Sequence, residues 1–157
     1  MLKKVAIASS VVLFALIVLA GALGSRDGDI PDKLKSRIKE AVSAERNSNE
    51  DDDLIRIYID IHHMSHNVIR SDEKWGLKDL TLANIGILIE KAEEISDTAD
   101  TAEVLEILHR WERGDFSAAD KDHNFVWSKL GGTVGIATGV NEQAIPQWAK
   151  DLNAQRP

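Results

Sequence analysis

The sequence predicts an all-α protein, a small bundle of five or six helices that follows a transmembrane helix at the amino terminus. Residues 5–23 contain no charged side chain. In several later segments apolar residues recur every three or four positions, as they do on one face of a helix. The chain contains only three Pro, three Phe and one Tyr, a composition that favours helices over a β-rich fold.

The uncharged stretch of residues 5–23 is long enough to cross a bilayer. As a helix it would span about 28 Å, close to the roughly 30 Å hydrocarbon core. Eleven of its residues are Leu, Ile, Val or Phe. Lys3 and Lys4 precede it, so the positive-inside rule keeps the amino end in the cytoplasm. We therefore expect the lipid bilayer as a partner through residues 5–23, and a single-pass protein whose carboxy-terminal domain lies outside the cytoplasm.

Cleavage of this segment is the alternative to a retained anchor. Ala20, Gly21 and Ala22 have the small-x-small form that signal peptidases cut, and cleavage after Ala22 would release a secreted protein. Signal peptides usually have a shorter apolar core, of about 7 to 15 residues, so a retained anchor is favoured. The predicted organisation is an anchor or uncleaved signal over residues 1–24, a linker over 25–31 and an extracytoplasmic helical domain over 32–157.

Composition limits the partners of the exported part. With Lys3 and Lys4 set aside, 17 basic and 26 acidic residues remain, a net charge of −9. Such a surface repels nucleic acid, so no nucleic-acid partner is expected. The chain has no Cys. A disulfide framework, a thiolate metal site, a thiol nucleophile and a lipid-modified cysteine are therefore excluded.

Helical periodicity divides the domain into successive elements. Residues 32–46 predict a mostly solvated first helix, and residues 47–53 a polar, acidic break. Residues 53–69 predict the most apolar helix of the domain, whose wide apolar arc should contact several others at the centre of the fold. A third helix is predicted over residues 81–96.

Capping signals place the remaining helices. Asp100 followed by Glu103 has the form of an N-cap for a fourth helix, which ends where Gly114 supplies a C-terminal glycine. Ser117 followed by Asp120 is a weaker start signal for a fifth helix, which ends at Gly131 and Gly132. Residues 141–153 predict a last short helix interrupted at Pro146.

Histidines are the candidate metal ligands. His62 and His66 are four residues apart on one predicted helix, a spacing at which two imidazoles can share a divalent ion. His109 and His123 could complete a set, and the predicted metal ligands are His62, His66 and His123, with zinc as the cofactor. The sequence lacks the glutamate of the zinc-protease motif His-Glu-x-x-His. The favoured alternative is that His66 and His123 fill core volume and donate a ring hydrogen to a carbonyl or carboxylate, with no cofactor at all.

The four tryptophans are candidates for a binding surface, because Trp is enriched at interaction hot spots. Trp111 and Trp127 fall on predicted buried faces. Trp75 and Trp148 have no clear apolar face around them, so they are the better candidates for contact with a partner, although either could simply cover the bundle.

Other catalytic patterns are missing from the sequence. The glycine-rich residues 131–139 are not followed by the Gly-Lys-Ser/Thr of a phosphate-binding loop, and no strand is predicted before them. No Ser-His-Asp order or nucleophile elbow is recognisable. An enzyme is therefore less favoured than a non-catalytic protein.

Several short motifs in order resemble one family of proteins. They are His62-x-Met64-Ser65-His66, Lys74-Trp75-Gly76, Arg110-Trp111, Gly114-Asp115-Phe116-Ser117, His123-Asn124-x-x-Trp127 and the glycine-rich residues 131–139. The combination resembles a family of small, singly anchored proteins of Gram-positive spore-forming bacteria, known as a domain of unknown function. The resemblance covers about residues 60–140. It implies an anchored, exported protein and assigns no active residue.

These observations predict a membrane-anchored, extracytoplasmic helical domain. Its predicted role is a non-catalytic binding or interaction module whose partner is an unidentified protein or cell-wall component. The alternative is a metal-binding protein or metal-dependent enzyme that uses the helix histidines.

Overall fold

The computed structural model describes the backbone of residues 32–155, and their side chains except at 32–34, 38 and 45–48. The predicted anchor, cleavage site and linker all fall on residues 1–31 and so lie outside the described residues. Within residues 32–155, no helix combines the length and apolar character that a membrane span requires.

Five α-helices dominate the described part of the chain, so the predicted all-α class is confirmed. Two two-residue strands pair antiparallel, with Ile69 opposite Val140. The elements in chain order are α1 Asp32–Ser65, β1 Ile69–Arg70, α2 Leu82–Glu93, α3 Ala99–Glu112, α4 Ala119–Lys129, β2 Gly139–Val140, a 3₁₀ helix Glu142–Ala144, and α5 Gln147–Ala154.

The predicted break at residues 47–53 was wrong, because α1 is helical throughout that segment. The segment is polar but contains neither Pro nor Gly. Its Asn, Ser, Glu and Asp residues each cost less than about 0.7 kcal/mol in a helix, which is too little to interrupt one. By its contacts the chain divides into two compact units, Met1–Asn49 and Glu50–Pro157, and the candidate site lies entirely in the second.

The second half of α1 supplies much of the core of the second unit, as its apolar arc predicted. Ile57, Ile61 and Met64 are buried there, whereas Ile55 and Ile59, at the edge of the predicted arc, are exposed. Contributions from the other elements include Ile85, Leu88, Val104, Ile107, Leu108, Trp111, Phe116 and Val126.

α1 ends at Ser65, four residues earlier than predicted, and side chains bond to carbonyl groups at and just beyond this end. Asn67 donates from Nδ2 to the carbonyls of Met64 (2.8 Å) and Lys78 (2.7 Å). Lys74 donates from Nζ to the carbonyls of His66 (2.8 Å) and Ile69 (2.6 Å). These bonds satisfy carbonyl groups at and beyond the helix end and leave Ile69 free to enter β1.

α3 begins at a different cap from the predicted one. The hydroxyl of Thr98 accepts the backbone N–H of Thr101 at 3.1 Å, so Thr98 is the N-cap. Asp100 lies in the first turn, where its carboxylate accepts Lys129 Nζ at 2.7 Å and the Tyr58 hydroxyl at 3.0 Å. The predicted Asp100 cap was therefore wrong. The predicted glycine end of the helix is confirmed, since Gly114 has a φ of +78°.

α4 likewise begins without the predicted serine cap. Ala118 precedes it and makes no side-chain capping bond. The Ser117 hydroxyl instead donates to Asp115 Oδ1 at 2.7 Å, within the turn that joins α3 to α4. α4 ends, as predicted, just before Gly131, whose φ is +71°.

Candidate metal centre

Three histidines from two helices and a turn meet in the second unit. His62 lies in the last turn of α1, His66 lies in the turn directly after α1, and His123 lies on α4. One nitrogen from each ring lies within 4.8 Å of the others. The ring centroids are 4.5 Å apart for His62 and His66, 4.6 Å for His62 and His123, and 5.4 Å for His66 and His123. We refer to these three residues as the histidine cluster.

The end of α1 and the packing of α4 position the cluster. His62 lies in the last turn of α1 and His66 in the turn after it, so both come just before β1, the strand against which α4 packs. On α4, the buried Asp122 carboxylate accepts Trp111 Nε1 at 2.8 Å and pairs with the Arg110 guanidinium. These bonds attach α4 to α3 one residue before His123, which is fully buried.

Hydrogen bonds fix the tautomer of two of the rings. His66 Nδ1 lies 2.7 Å from the Gly76 carbonyl, which can only accept, so Nδ1 carries the proton. His123 Nδ1 lies 3.1 Å from Asn124 Oδ1. That oxygen also accepts the Ala137 N–H at 2.8 Å, while Asn124 Nδ2 donates to the Ala137 carbonyl at 3.0 Å, which fixes the amide orientation. Both neutral rings therefore keep a lone pair on Nε2.

Two ring nitrogens of the cluster are buried without a hydrogen-bond partner among the described residues. They are His62 Nδ1 and His123 Nε2. The alternative of core-filling histidines accounts for the donated Nδ1 hydrogens of His66 and His123, but leaves these two atoms unexplained. A buried polar group without a partner costs about 1–3 kcal/mol. A shared cation would remove that cost.

The cluster is electrically neutral near pH 7. Burial, with smaller effects of His123, His66 and His63, lowers the pKa of His62 to about 4. Burial also lowers the pKa values of His66 and His123, partly offset by their bonds to Gly76 and Asn124. Neutral imidazole is the form that coordinates metals, so burial prepares the three rings for an ion.

A pocket of about 250 Å³ reaches the cluster at His62. Trp75 and Trp127 contribute two indole walls, and residues 131–135 form a third side. Trp127 is held in place by its Nε1, which donates to the Val134 carbonyl at 2.8 Å, and by Gly132, where a Cβ would lie 2.3 Å from the indole. The glycine-rich segment thus packs closely against an aromatic wall.

The other predicted site residues, His109, Trp75 and Trp148, are not part of the histidine cluster. His109 on α3 is outside the histidine cluster and lies 3.4 Å from Glu112 Oε2. Trp75 is 73 % exposed. Trp148 is half-buried, its ring 5.8 Å from that of Phe116 and its Nε1 3.4 Å from the Leu80 carbonyl, which favours the alternative that it covers the core.

The residues that orient the imidazole rings of His66 and His123 were not predicted from the sequence. Asn124 and the carbonyl of Gly76 hold the Nδ1 hydrogens of His123 and His66. The sequence shows that Asn124 follows His123, but the orienting role of Asn124 depends on its bond to Ala137, thirteen residues later. No pattern in the sequence reveals which backbone carbonyl lies over His66.

Comparison with known protein families identifies a match to this chain. A family of unknown function, DUF6241, matches residues 61–149, a span that includes the whole histidine cluster. This agrees with the region of resemblance found in the sequence. Neither the curated proteins nor the solved structures contain a match to the chain.

Proposed function

Since the chain belongs to DUF6241, a family of unknown function, we propose its role from its geometry: it binds one divalent metal ion through the histidine cluster, with zinc as the favoured ion. The main support is the pair of buried, unpartnered nitrogens, His62 Nδ1 and His123 Nε2, in a group of three rings. The lone pair on His66 Nε2 completes a set of three nitrogen ligands.

The spacing of the rings suits such an ion after a small adjustment. Zinc–nitrogen bonds are about 2.0–2.1 Å, so two tetrahedral ligands lie about 3.3 Å apart. The nitrogens of the cluster lie within 4.8 Å of one another, so the rings would have to approach by at most about 1.5 Å to share an ion. Metal-bound imidazoles commonly donate their other ring hydrogen to a carbonyl or carboxylate group, as the Nδ1 bonds of His66 and His123 would allow here.

The ligand set narrows the choice of ion. Three imidazoles without a carboxylate suit zinc, copper, nickel or iron, whereas calcium and magnesium require oxygen ligands. Zinc is favoured because it accepts a tetrahedral site with three histidines and needs no redox partner.

Thermal unfolding tests the proposed metal site. The full-length chain in mild detergent is heated with a chelator and with zinc at increasing concentration. An ion at about 100 times its dissociation constant adds about 2.7 kcal/mol of stability, which should raise the melting temperature by about 5–10 °C. The rise should vanish in His66→Ala and in His123→Gln, and persist in His63→Gln. An unchanged melting temperature in the parent chain at millimolar zinc would refute the proposal.

The cellular placement is proposed on sequence grounds. The uncharged residues 5–23 and the preceding Lys3 and Lys4 support a retained anchor, with the helical domain outside the cytoplasm. The chain has no native Cys, so one introduced thiol gives a selective label. Gln143→Cys, at an exposed position, should react with a membrane-impermeant maleimide on intact cells. Labelling only after lysis would contradict this placement.

A non-catalytic interaction module remains a second candidate, supported by apolar side chains exposed near the pocket. Trp75 and Leu77 are 73 % and 70 % exposed, and Val134 and Ile136 are 56 % and 53 % exposed. Its partner would be a protein or cell-wall component at the membrane. A photo-crosslinker at Leu77 should give one discrete adduct in cells, and the same group at Lys150 none. Equal adducts from both positions would count against this candidate.

A further inference from the structure

We propose that the bound metal ion keeps one coordination position for a small molecule, and that this molecule carries an oxygen anion on an aromatic or apolar body seated in the pocket beside His62. This inference rests on the proposed metal site and adds the class of ligand that the site accepts. It requires an incomplete protein ligand set, an electrostatic preference for anions and a pocket of suitable size and chemistry.

The protein supplies three ligands to an ion that takes four. Among the described residues, no carboxylate joins the group formed by His62, His66 and His123. Structural zinc sites are closed by four protein ligands, whereas sites with three protein ligands hold water or an exogenous molecule in the fourth position. The composition of the cluster therefore matches an open site.

Charge favours an anion at this fourth position. Imidazole coordinates a metal ion in its neutral form. An ion held by neutral imidazoles keeps its full charge of +2, so it attracts an anionic oxygen donor more strongly than a neutral one. Carboxylate and hydroxamate oxygens meet this requirement.

The pocket favours an apolar body on the ligand. His62 lines the pocket, which brings a seated molecule beside the metal site, and the indoles of Trp75 and Trp127 supply aromatic walls. Among the described residues, the lining contains no Lys or Arg and one acidic residue, Glu73, so only the ion itself attracts the anionic group and the rest of the ligand is uncharged. A cavity of about 150 Å³ holds benzene, so about 250 Å³ accommodates one substituted ring. An aromatic ring would also cover part of Trp75, which is otherwise 73 % exposed.

Cobalt substitution and two hydroxamates test the proposal. The full-length chain in detergent is loaded with Co²⁺, whose visible spectrum reports the ligands around the ion. Acetohydroxamate and benzohydroxamate carry the same metal-binding group, whose anionic oxygen takes the open position and whose carbonyl oxygen can raise the coordination number to five. They differ in the aromatic ring. We expect both to change the spectrum, with benzohydroxamate binding about tenfold more tightly because its ring contacts the indoles. Trp75→Ala should remove this tenfold preference, and Ile87→Ala, at an exposed position on α2, should keep it.

Each outcome distinguishes this proposal from the metal site itself. If Co²⁺ binds but neither hydroxamate changes its spectrum, the site is closed and the inference is wrong, while the metal-binding function stands. If the two hydroxamates bind equally, or Trp75→Ala leaves the preference intact, the pocket does not receive the ligand body and the inference is again wrong. Failure of Co²⁺ and Zn²⁺ to bind at all would overturn both the proposed function and this inference.

Discussion

Asn124 holds the imidazole of His123 in a single orientation. Its Oδ1 lies 3.1 Å from His123 Nδ1, and its amide group bonds to both backbone polar groups of Ala137. The loop that contains Ala137 thus determines which nitrogen of His123 carries the proton. The Nε2 of His123 is left buried and without a partner among the described residues, in a ring whose ligand nitrogen lies within 4.8 Å of those of the other two histidines.

Loss of Asn124 should weaken metal binding without abolishing it. Asn124→Ala removes the acceptor that orients His123, and such outer partners typically contribute 10- to 100-fold in metal affinity. Asn124→Asp keeps an acceptor oxygen at the same position and should retain most of the affinity. Zinc competition titrations would measure both dissociation constants. Equal affinities for Asn124→Ala and the parent chain would show that Asn124 does not orient a ligand.

Acid should destabilise the metal-free chain through the histidine cluster. An unfolded histidine takes up a proton near pH 6.5, but His62 in the folded chain does so only at a pKa of about 4. Between these values the unfolded state binds more protons, so the free energy of unfolding falls as the pH falls. The loss should begin near pH 6.5, be complete near pH 4 and amount to on the order of 2 kcal/mol, since His62 is partly exposed.

Urea unfolding at a series of pH values would measure this loss. His62→Gln should make the decline between pH 6.5 and pH 4 smaller, because the substituted side chain does not titrate, while His66 and His123 still contribute. His109→Gln is the matched control, since His109 lies outside the cluster, and it should follow the parent profile. A parent chain with the same stability at pH 7 and pH 5 would contradict the assignment.

Removal of the Asp122 carboxylate should destabilise the fold strongly. The side chain is 4 % exposed and pairs with Arg110 and the Trp111 indole N–H. Asp122→Ala leaves a partly buried guanidinium and a buried N–H without their partner, which typically costs 3–5 kcal/mol. Glu106→Ala is the control, because it removes only the more exposed partner of Arg110 and should cost less than about 1 kcal/mol. Equal effects of the two substitutions on urea unfolding would refute this role of Asp122.

Two glycines should respond in opposite directions to alanine. Gly114 has a φ of +78°, and a Cβ there would lie 2.9 Å from the Ala149 carbonyl oxygen, so Gly114→Ala should cost about 1–3 kcal/mol. Gly86 is inside α2 with no neighbouring atom within 4 Å of an added Cβ. Gly86→Ala should stabilise by about 0.5–1 kcal/mol. The melting temperatures should therefore move apart, and a stabilised Gly114→Ala would contradict the close contact with α5.

Periodicity predicted the helices well where an apolar face is buried. The stripes that include Ile57 and Leu88 identified the core sides of α1 and α2 because burial leaves a three-to-four repeat in the sequence. The break predicted at residues 47–53 was wrong because a solvated helix and a loop have similar amino-acid compositions. The predicted Asp100 cap was wrong because Thr98, two residues earlier, offers the same capping chemistry and caps the helix instead.

The candidate site was predictable in part. The four-residue spacing of His62 and His66 predicted one helix face, whereas His66 lies just after the end of α1. His123 was predicted as the third ligand with His109 as a further candidate, because the sequence does not tell which of α3 and α4 comes near the end of α1. That choice is made by tertiary contacts, among them the pairing of Asp122 with α3.

Direct measurement of zinc stoichiometry tests the central claim. Equilibrium dialysis of the full-length chain in detergent, followed by elemental analysis, should find one zinc ion per chain. Each of the variants His62→Gln, His66→Gln and His123→Gln should lower that value towards zero, with circular dichroism confirming that the helices remain. His63→Gln and His109→Gln should retain one ion. A parent chain that binds no zinc, or one that loses zinc equally with all five substitutions, would contradict the assignment of the metal to the histidine cluster.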